Sequence, residues 1–262
     1  MTDQSHTLSI KEIYQQSLKP ADSWFNLYIA RPLAAPIVAL LYRTPITPNQ
    51  VTFMATLVML ASMITLMIVP GVWGLWVGVI GLEFSYVLDC VDGQLARIKK
   101  QSSEVGGLLD FMMDEIKAYL MIAAVSIRLY CFDAPLIADH SESALMVGIA
   151  TLLAFASAIS LTRFRRSVEY ANATGQARIH HGQSAGEGKG SGPLWPIKVF
   201  ARLVSQYPTS FPIFAYFNAL DIFLYSYGIL HILYAGQATL SIFLALALPS
   251  SQTSASSSLE EG

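Results

Sequence analysis

Charge is scarce in this chain: Asp, Glu, Lys and Arg make up 13% of its 262 residues, against 53% hydrophobic residues. A typical soluble domain carries about 25% charged residues, so the composition excludes an ordinary soluble fold. The mean hydropathy of +0.48 points the same way. A formal net charge of −2 leaves no basic excess to meet a nucleic-acid backbone, and no nucleic-acid partner is expected. Cysteine is nearly absent, and Cys90 and Cys131 make neither a disulfide framework nor a zinc-ligand spacing. The opening Met-Thr-Asp-Gln-Ser-His lacks the basic and apolar regions of a secretory signal. No internal repeat is evident. The glycine run at 186–192 lacks the Gly-Lys-Ser/Thr ending of a phosphate loop and reads as linker.

What is present is a concentration of acid between Asp89 and Asp114. The stretch reads Asp89-Cys-Val-Asp92-Gly93-Gln-Leu-Ala96-Arg97, then eight residues, then Gly106-Gly-Leu-Leu-Asp110-Phe-Met-Met-Asp114. At about 100° per residue, Asp89, Asp92, Gly93 and Ala96 share one helix face. Asp110 and Asp114 lie one turn apart on a second helix, with Gly106 one turn before them. The polar residues 98–105 connect the two, so both carboxylate pairs can face one space. Such acids repel one another, and near a membrane they are costly unless paired or functional. A hard divalent cation (Mg2+, Mn2+ or Ca2+) removes that cost, because it prefers oxygen ligands. Gly93, Ala96 and Gly106 leave room for a ligand or a second backbone. Arg97 suits a phosphate, which a guanidinium grips with two donors. The stretch reads as a metal–diphosphate site.

The pattern D-x2-D-G-x2-A-R-x8-G-x3-D-x3-D resembles the signature of the CDP-alcohol phosphotransferases (CDP-alcohol phosphatidyltransferases). All of its fixed positions are matched here. These integral membrane enzymes transfer a substituted phosphate from a CDP-alcohol to the hydroxyl of a second alcohol, releasing CMP. The resemblance implies that Asp89, Asp92, Asp110 and Asp114 hold Mg2+ or Mn2+, as two ions, with Asp114 the general base. It implies a CDP site formed by Asp89, Asp92, Gly93, Ala96, Arg97 and Gly106. The donor most common in the family is CDP-diacylglycerol, the acceptor is a small alcohol or polyol phosphate, and a homodimer is expected.

The expected fold is an all-α integral membrane protein with six transmembrane helices, preceded by an interfacial amphipathic N-terminal helix. Residues 1–47 form that interfacial segment, since a span at about 24–42 would have to bury Arg31 or let it snorkel. Thr47, Pro48 and Gln50 start the first span with a capping box, and it runs to about Val69. Pro70-Gly71 turns the chain into a second span, and further spans fit 105–132, about 144–161, about 209–231 and 235–249, the last two parted at Ala235-Gly236. Residues 48–249 then make the catalytic domain, with a cytoplasmic loop at about 167–207. That loop carries His180 and His181 as solvated residues and an amphipathic segment at 194–207. The Ser-rich tail 250–262 is expected to be disordered. Basic residues at Arg97, Lys99, Lys100 and Arg163–Arg166 place the site and both termini in the cytoplasm, at the inner membrane if the source is bacterial.

Candidates for binding a phosphorylated acceptor are Lys117, Arg163, Arg165 and Arg166. The plainer readings are that Lys117 pairs with a carboxylate and that the arginines anchor the topology. Asp221 could face an acceptor cavity or lie near the interface, and Glu83 has no assigned role. Two other classes compete with a transferase. A divalent-cation transporter or channel could use the same acids, but Leu82, Phe84, Val87, Leu120, Met121 and Ile122 around them are apolar, with no polar path onward. A structural bundle would need more cationic partners than the chain supplies.

Overall fold

Two capping boxes set where the first helices begin. Ser9 accepts the Glu12 N–H and Glu12 accepts the Ser9 N–H at 2.8 Å, starting α1 (Ile10–Gln16). Thr47 and Gln50 repeat the arrangement, with Pro48 in the first turn, and start α3 (Pro48–Ile68) as expected. Between them lies α2 (Arg31–Leu41), entered through one π-helical turn, Asn26–Ala30. Pro32 has no N–H and its ring crowds the carbonyl one turn back. The turn widens in response, and the Arg31 N–H reaches back to Asn26 O.

The structure, a computed structural model, describes residues 8–19, 22–132, 141–175, 201 and 204–247. The long helices are α3, α4 (Gly71–Ile98), α5 (Glu104–Cys131), α6 (Ser141–Arg165) and, at the end, α9 (Leu220–Ala247). The short α7 (Val168–Thr174) and α8 (Tyr207–Tyr216) complete the described elements, none of which is a strand. Four helices are long and apolar enough to cross a membrane: α3, α4, α6 from Glu142, and α9. They make this an all-helical integral membrane protein. The helix α5 equals α4 in length but carries Glu104, Asp110, Asp114, Glu115, Lys117 and Arg128.

The C-terminal helices differ from the expected pair of spans at 209–231 and 235–249. Helix α9 runs unbroken through Ala235-Gly236, and the break falls at 217–219, where Asn218 takes a left-handed φ of 52°. A glycine inside a helix costs only about 1 kcal/mol relative to alanine, whereas asparagine is among the few residues that adopt the left-handed turn readily. The expected linker at 186–192, His180 and His181, most of the amphipathic segment at 194–207 and the expected disordered tail lie outside the described residues.

The chain divides into two compact units, Met1–Leu145 with Gln206–Phe223, and Met146–Ser205 with Leu224–Gly262. In the first, α3 and α4 form a tight hairpin across Gly71, whose φ is +71°. Small residues let the two backbones approach: a Cβ on Gly81 would stand 2.0 Å from Ser62 Oγ. One turn apart along this seam, the buried Ser85 hydroxyl donates to Ala55 O at 2.7 Å. Helices α1 and α2 close the C-terminal end of α4 through Ile13, Ala34, Ala35, Val38, Val91 and Leu95, all fully or almost fully buried. In the second unit, Gly228 on α9 abuts Thr151 on α6, and Phe155 packs edge-on against His231 at 4.9 Å.

The far end of the hairpin is held by Arg128. It is buried, and its guanidinium donates to Leu66 O at 3.3 Å, Val69 O at 3.2 Å and Gly71 O at 2.9 Å. The first two carbonyls belong to the end of α3, where no helical N–H remains to meet them. Replacing Arg128 with Leu leaves buried carbonyls unmet. The expected cost is about 2–4 kcal/mol, read as a lower melting temperature of the detergent-solubilised protein; an unchanged melting temperature would show that the arginine does not hold this turn.

Candidate metal centre

The second hairpin, α4–α5, carries the acids. Lys99 fixes its turn by donating to Thr44 O at 2.7 Å and Ile46 O at 2.6 Å, and Lys100 adopts a left-handed φ of 55°. Ser103 caps α5 by accepting the Gly106 N–H at 3.0 Å. Both α4 and α5 pack on α3, which sets Asp89 and Asp92 opposite Asp110. One oxygen from each of these three lies within 4.8 Å of the others. Asp92 is buried, and Thr52 on α3 donates its hydroxyl to Asp92 Oδ2.

Lys117 is buried between the two helices and bonds both Asp89 and, at 3.1 Å, Asp114 Oδ1. The Asp114 side chain is half exposed (50%), one turn beyond Asp110. Asp110 Oδ1, by contrast, is buried and accepts no hydrogen bond. A carboxylate oxygen without a donor, away from water, is costly unless a cation meets it. Oxygen-only ligands, an excess of negative charge and this unmet oxygen all fit a hard divalent cation. Asp89, Asp92 and Asp110 could hold it.

The other expected site residues take distinct positions. Gly93 lies beneath the Arg97 guanidinium, whose Nη atoms would be 3.5 Å from a Cβ placed there. Ala96 is half-buried on α4 between the acids and the turn. Gly106 faces the start of α3, with Asn49 Oδ1 3.6 Å from where its Cβ would stand. Lys117 sits on the carboxylates, as its plainer reading had it. Arg163 and Arg165 lie in the last turn of α6 and Arg166 follows it, all in the second unit, where Arg165 Nε is buried without a hydrogen-bond partner. Asp221 is buried at the start of α9 within the first unit. Glu83 lies midway along α4 with Oε1 buried and unmet.

Several residues around the site went unread in the sequence. Thr52, which bonds Asp92, is separated from it by 40 positions. Asn26 accepts the Tyr86 hydroxyl, and buried Gln94 donates to Arg31 O at 3.1 Å. Arg31 is itself buried within the protein (3% exposed). Asp22 and the Ser17 carbonyl offset the cost of that burial. The only sequence signal was the Asp22/Arg31 charge pair, whose nine-residue separation matches no helical spacing.

The fold and the site together define a helical membrane protein with a carboxylate centre suited to a divalent cation. The family model for CDP-alcohol phosphatidyltransferase matches residues 45–220, most of the chain and all of the acidic pattern, and the protein belongs to that family. It is therefore a transferase whose donor is a CDP-alcohol, and the family uses a divalent metal. No individual curated protein matches the chain.

The charge balance at the centre predicts how cation binding should respond to mutation. In Lys117→Met the carboxylates lose their ammonium, so the rise in melting temperature on adding Mg2+ should exceed that of the wild type. In Asp89→Asn/Asp110→Asn that rise should be lost, because binding to the folded state is what stabilises it. Equal shifts in all three proteins would mean that the cation binds elsewhere.

Proposed function

We propose that the protein transfers a phosphatidyl group from CDP-diacylglycerol to the hydroxyl of a small alcohol or polyol phosphate, releasing CMP, in phospholipid synthesis. The observation that carries this reading is the meeting of Asp89, Asp92 and Asp110 within 4.8 Å inside a chain of this family. Those three aspartates would hold Mg2+ or Mn2+, with Asp114 completing a two-ion site, and the cations would neutralise the diphosphate and the departing CMP. Gly93, Ala96 and Gly106 leave space beside the nucleotide, and Arg97 binds its phosphates. Asp114 takes the proton of the acceptor hydroxyl as its oxygen attacks the phosphorus that carries the diacylglycerol. The bond from that phosphorus to the CMP oxygen breaks in line, and no covalent enzyme intermediate forms. Asp114 suits this part because its side chain is half exposed and Lys117 orients it.

Arg163, Arg165 and Arg166 are the candidates for the acceptor phosphate in this reading, and Lys117 serves the carboxylates. The buried, unmet Nε of Arg165 supports an anionic acceptor. The layout that goes with it adds α5 to the four apolar helices as a crossing. It lays α1 and α2 at the cytoplasmic interface and faces the aspartates and both termini to the cytoplasm. Two copies form a homodimer.

The test is CMP release by purified, detergent-solubilised protein given CDP-diacylglycerol and Mg2+. The acceptors are glycerol 3-phosphate, inositol, inositol 1-phosphate, serine and choline. Release with one of them, lost with EDTA and in Asp92→Asn, is the expected result. No release with lipid or soluble CDP-alcohols would overturn the reading. In Asp114→Asn, turnover should fall about 10²–10⁴-fold while CMP binding stays within about twofold, because Asp89, Asp92 and Asp110 remain to hold a cation; retained turnover would remove Asp114 from the base role. Arg163→Ala or Arg165→Ala should raise the KM of a phosphorylated acceptor about tenfold and leave the donor KM alone.

A further inference from the structure

Three hydrogen bonds tie the N-terminal segment to the face of α4 beside the metal centre. Arg97 Nε donates to Ser17 O at 2.7 Å, Gln94 Nε2 to Arg31 O at 3.1 Å, and the Tyr86 hydroxyl to Asn26 Oδ1. Ser17 is fully buried at the C-cap of α1. Its carbonyl accepts a second guanidinium as well, from Arg31 Nη1 at 3.0 Å. Two cations converging on one carbonyl repel, and Asp22 answers by pairing with Arg31 Nε. Asp22 is in turn held by the Ser23 N–H at 3.0 Å and by Asn26 Nδ2 at 2.8 Å. Each member of the group is thus fixed by another, from α1 through the π-helical turn to α4.

The consequence falls on Arg97. Held through Nε, its guanidinium lies across Gly93, one turn from Asp89, with the Nη pair 3.5 Å from where a Cβ on Gly93 would stand. The Nη pair is the fork by which arginine grips a phosphate. An arginine reaching its ligand from an untethered stem must lose side-chain freedom on binding; here the tether has already removed it. Ser17, Asp22 and Arg31 all precede residue 45, where the match to the family model begins.

We propose that Asp22 and Arg31 are positioning residues for the CDP-alcohol donor: through the shared Ser17 carbonyl they aim the Arg97 guanidinium at the donor's diphosphate. This rests on the reading of Arg97 as a phosphate-binding residue. The N-terminal segment then does more than cover α4, because it orders one of the groups that bind the nucleotide.

The experiment uses the full chain in detergent, with CMP plus Mg2+ as the binding probe, alongside donor KM, acceptor KM and kcat. In Asp22→Asn, CMP binding should weaken and donor KM rise, each about tenfold, with kcat and acceptor KM within about twofold of wild type. In an Arg97→Ala background, adding Asp22→Asn should cause no further loss of CMP binding, because the path runs through Arg97. Should Asp22→Asn fail to fold, Arg31→Lys keeps the charge but loses the fork geometry, and the same pattern is expected of it. Losses that add fully with Arg97→Ala, or a fall in kcat at unchanged donor KM, would overturn the proposal. CMP binding lost in Arg97→Ala but unaffected by Asp22→Asn and Arg31→Lys would overturn it while leaving the CDP reading intact. A wild type that binds no CMP would sink the CDP reading itself.

Discussion

Repulsion among carboxylates is the constraint to which the first unit of this protein is built. Asp89, Asp92 and Asp110 bring oxygens within 4.8 Å of one another. At that separation, with an effective dielectric near 20, each like-charged pair costs about 3–4 kcal/mol. Three such pairs reach about 10 kcal/mol, the size of a domain's whole net stability. Lys117 offers one positive charge, and it is shared between Asp89 and Asp114. Thr52 offers Asp92 a single neutral donor. Neither meets Asp110 Oδ1, so the remaining imbalance is a standing demand for a cation. A divalent cation held by these carboxylates would meet that demand and would stand ready for a donor's diphosphate.

The geometry that enforces this proximity is set by the α3–α4 seam. Gly81 against Ser62 and Ser85 against Ala55 O bring the helices close enough for register to be defined by individual side chains. The same register delivers Thr52 to Asp92 at one end and leaves the turn at Gly71 for Arg128 at the other. Packing and chemistry therefore share one interface. A bulkier residue in the seam would displace Asp92 from Asp110 as well as loosen the fold.

The N-terminal segment shows the same economy in polar groups. Burial of Arg31 is costly in isolation, yet Asp22, Ser17 O and the π-helical turn around Asn26 meet it with geometry rather than water. Pro32 widens that turn, and Asn26 within it reaches both Asp22 and Tyr86. A local backbone irregularity thus becomes a junction between the N-terminal segment and α4, 60 positions away in sequence.

Much of this was legible in the residues. The capping box at Thr47, the Pro70-Gly71 turn and the acidic hairpin rest on contacts spanning a few positions, where residue type and spacing decide the outcome. The membrane class follows from composition, because so little charge cannot cover a soluble surface. The break at 217–219 was misplaced because a glycine signals a turn only weakly, while the left-handed Asn218 acts through a short local preference that the apolar pattern hides. The pairing of Thr52 with Asp92, the burial of Arg31 and the division of labour between Lys117 and the aspartates were settled by tertiary structure alone. Each joins residues whose separation carries no periodicity, and each depends on how closely two helices approach. The sequence by itself determined which groups are available and which helices bear them; the close packing of those helices decided which groups meet.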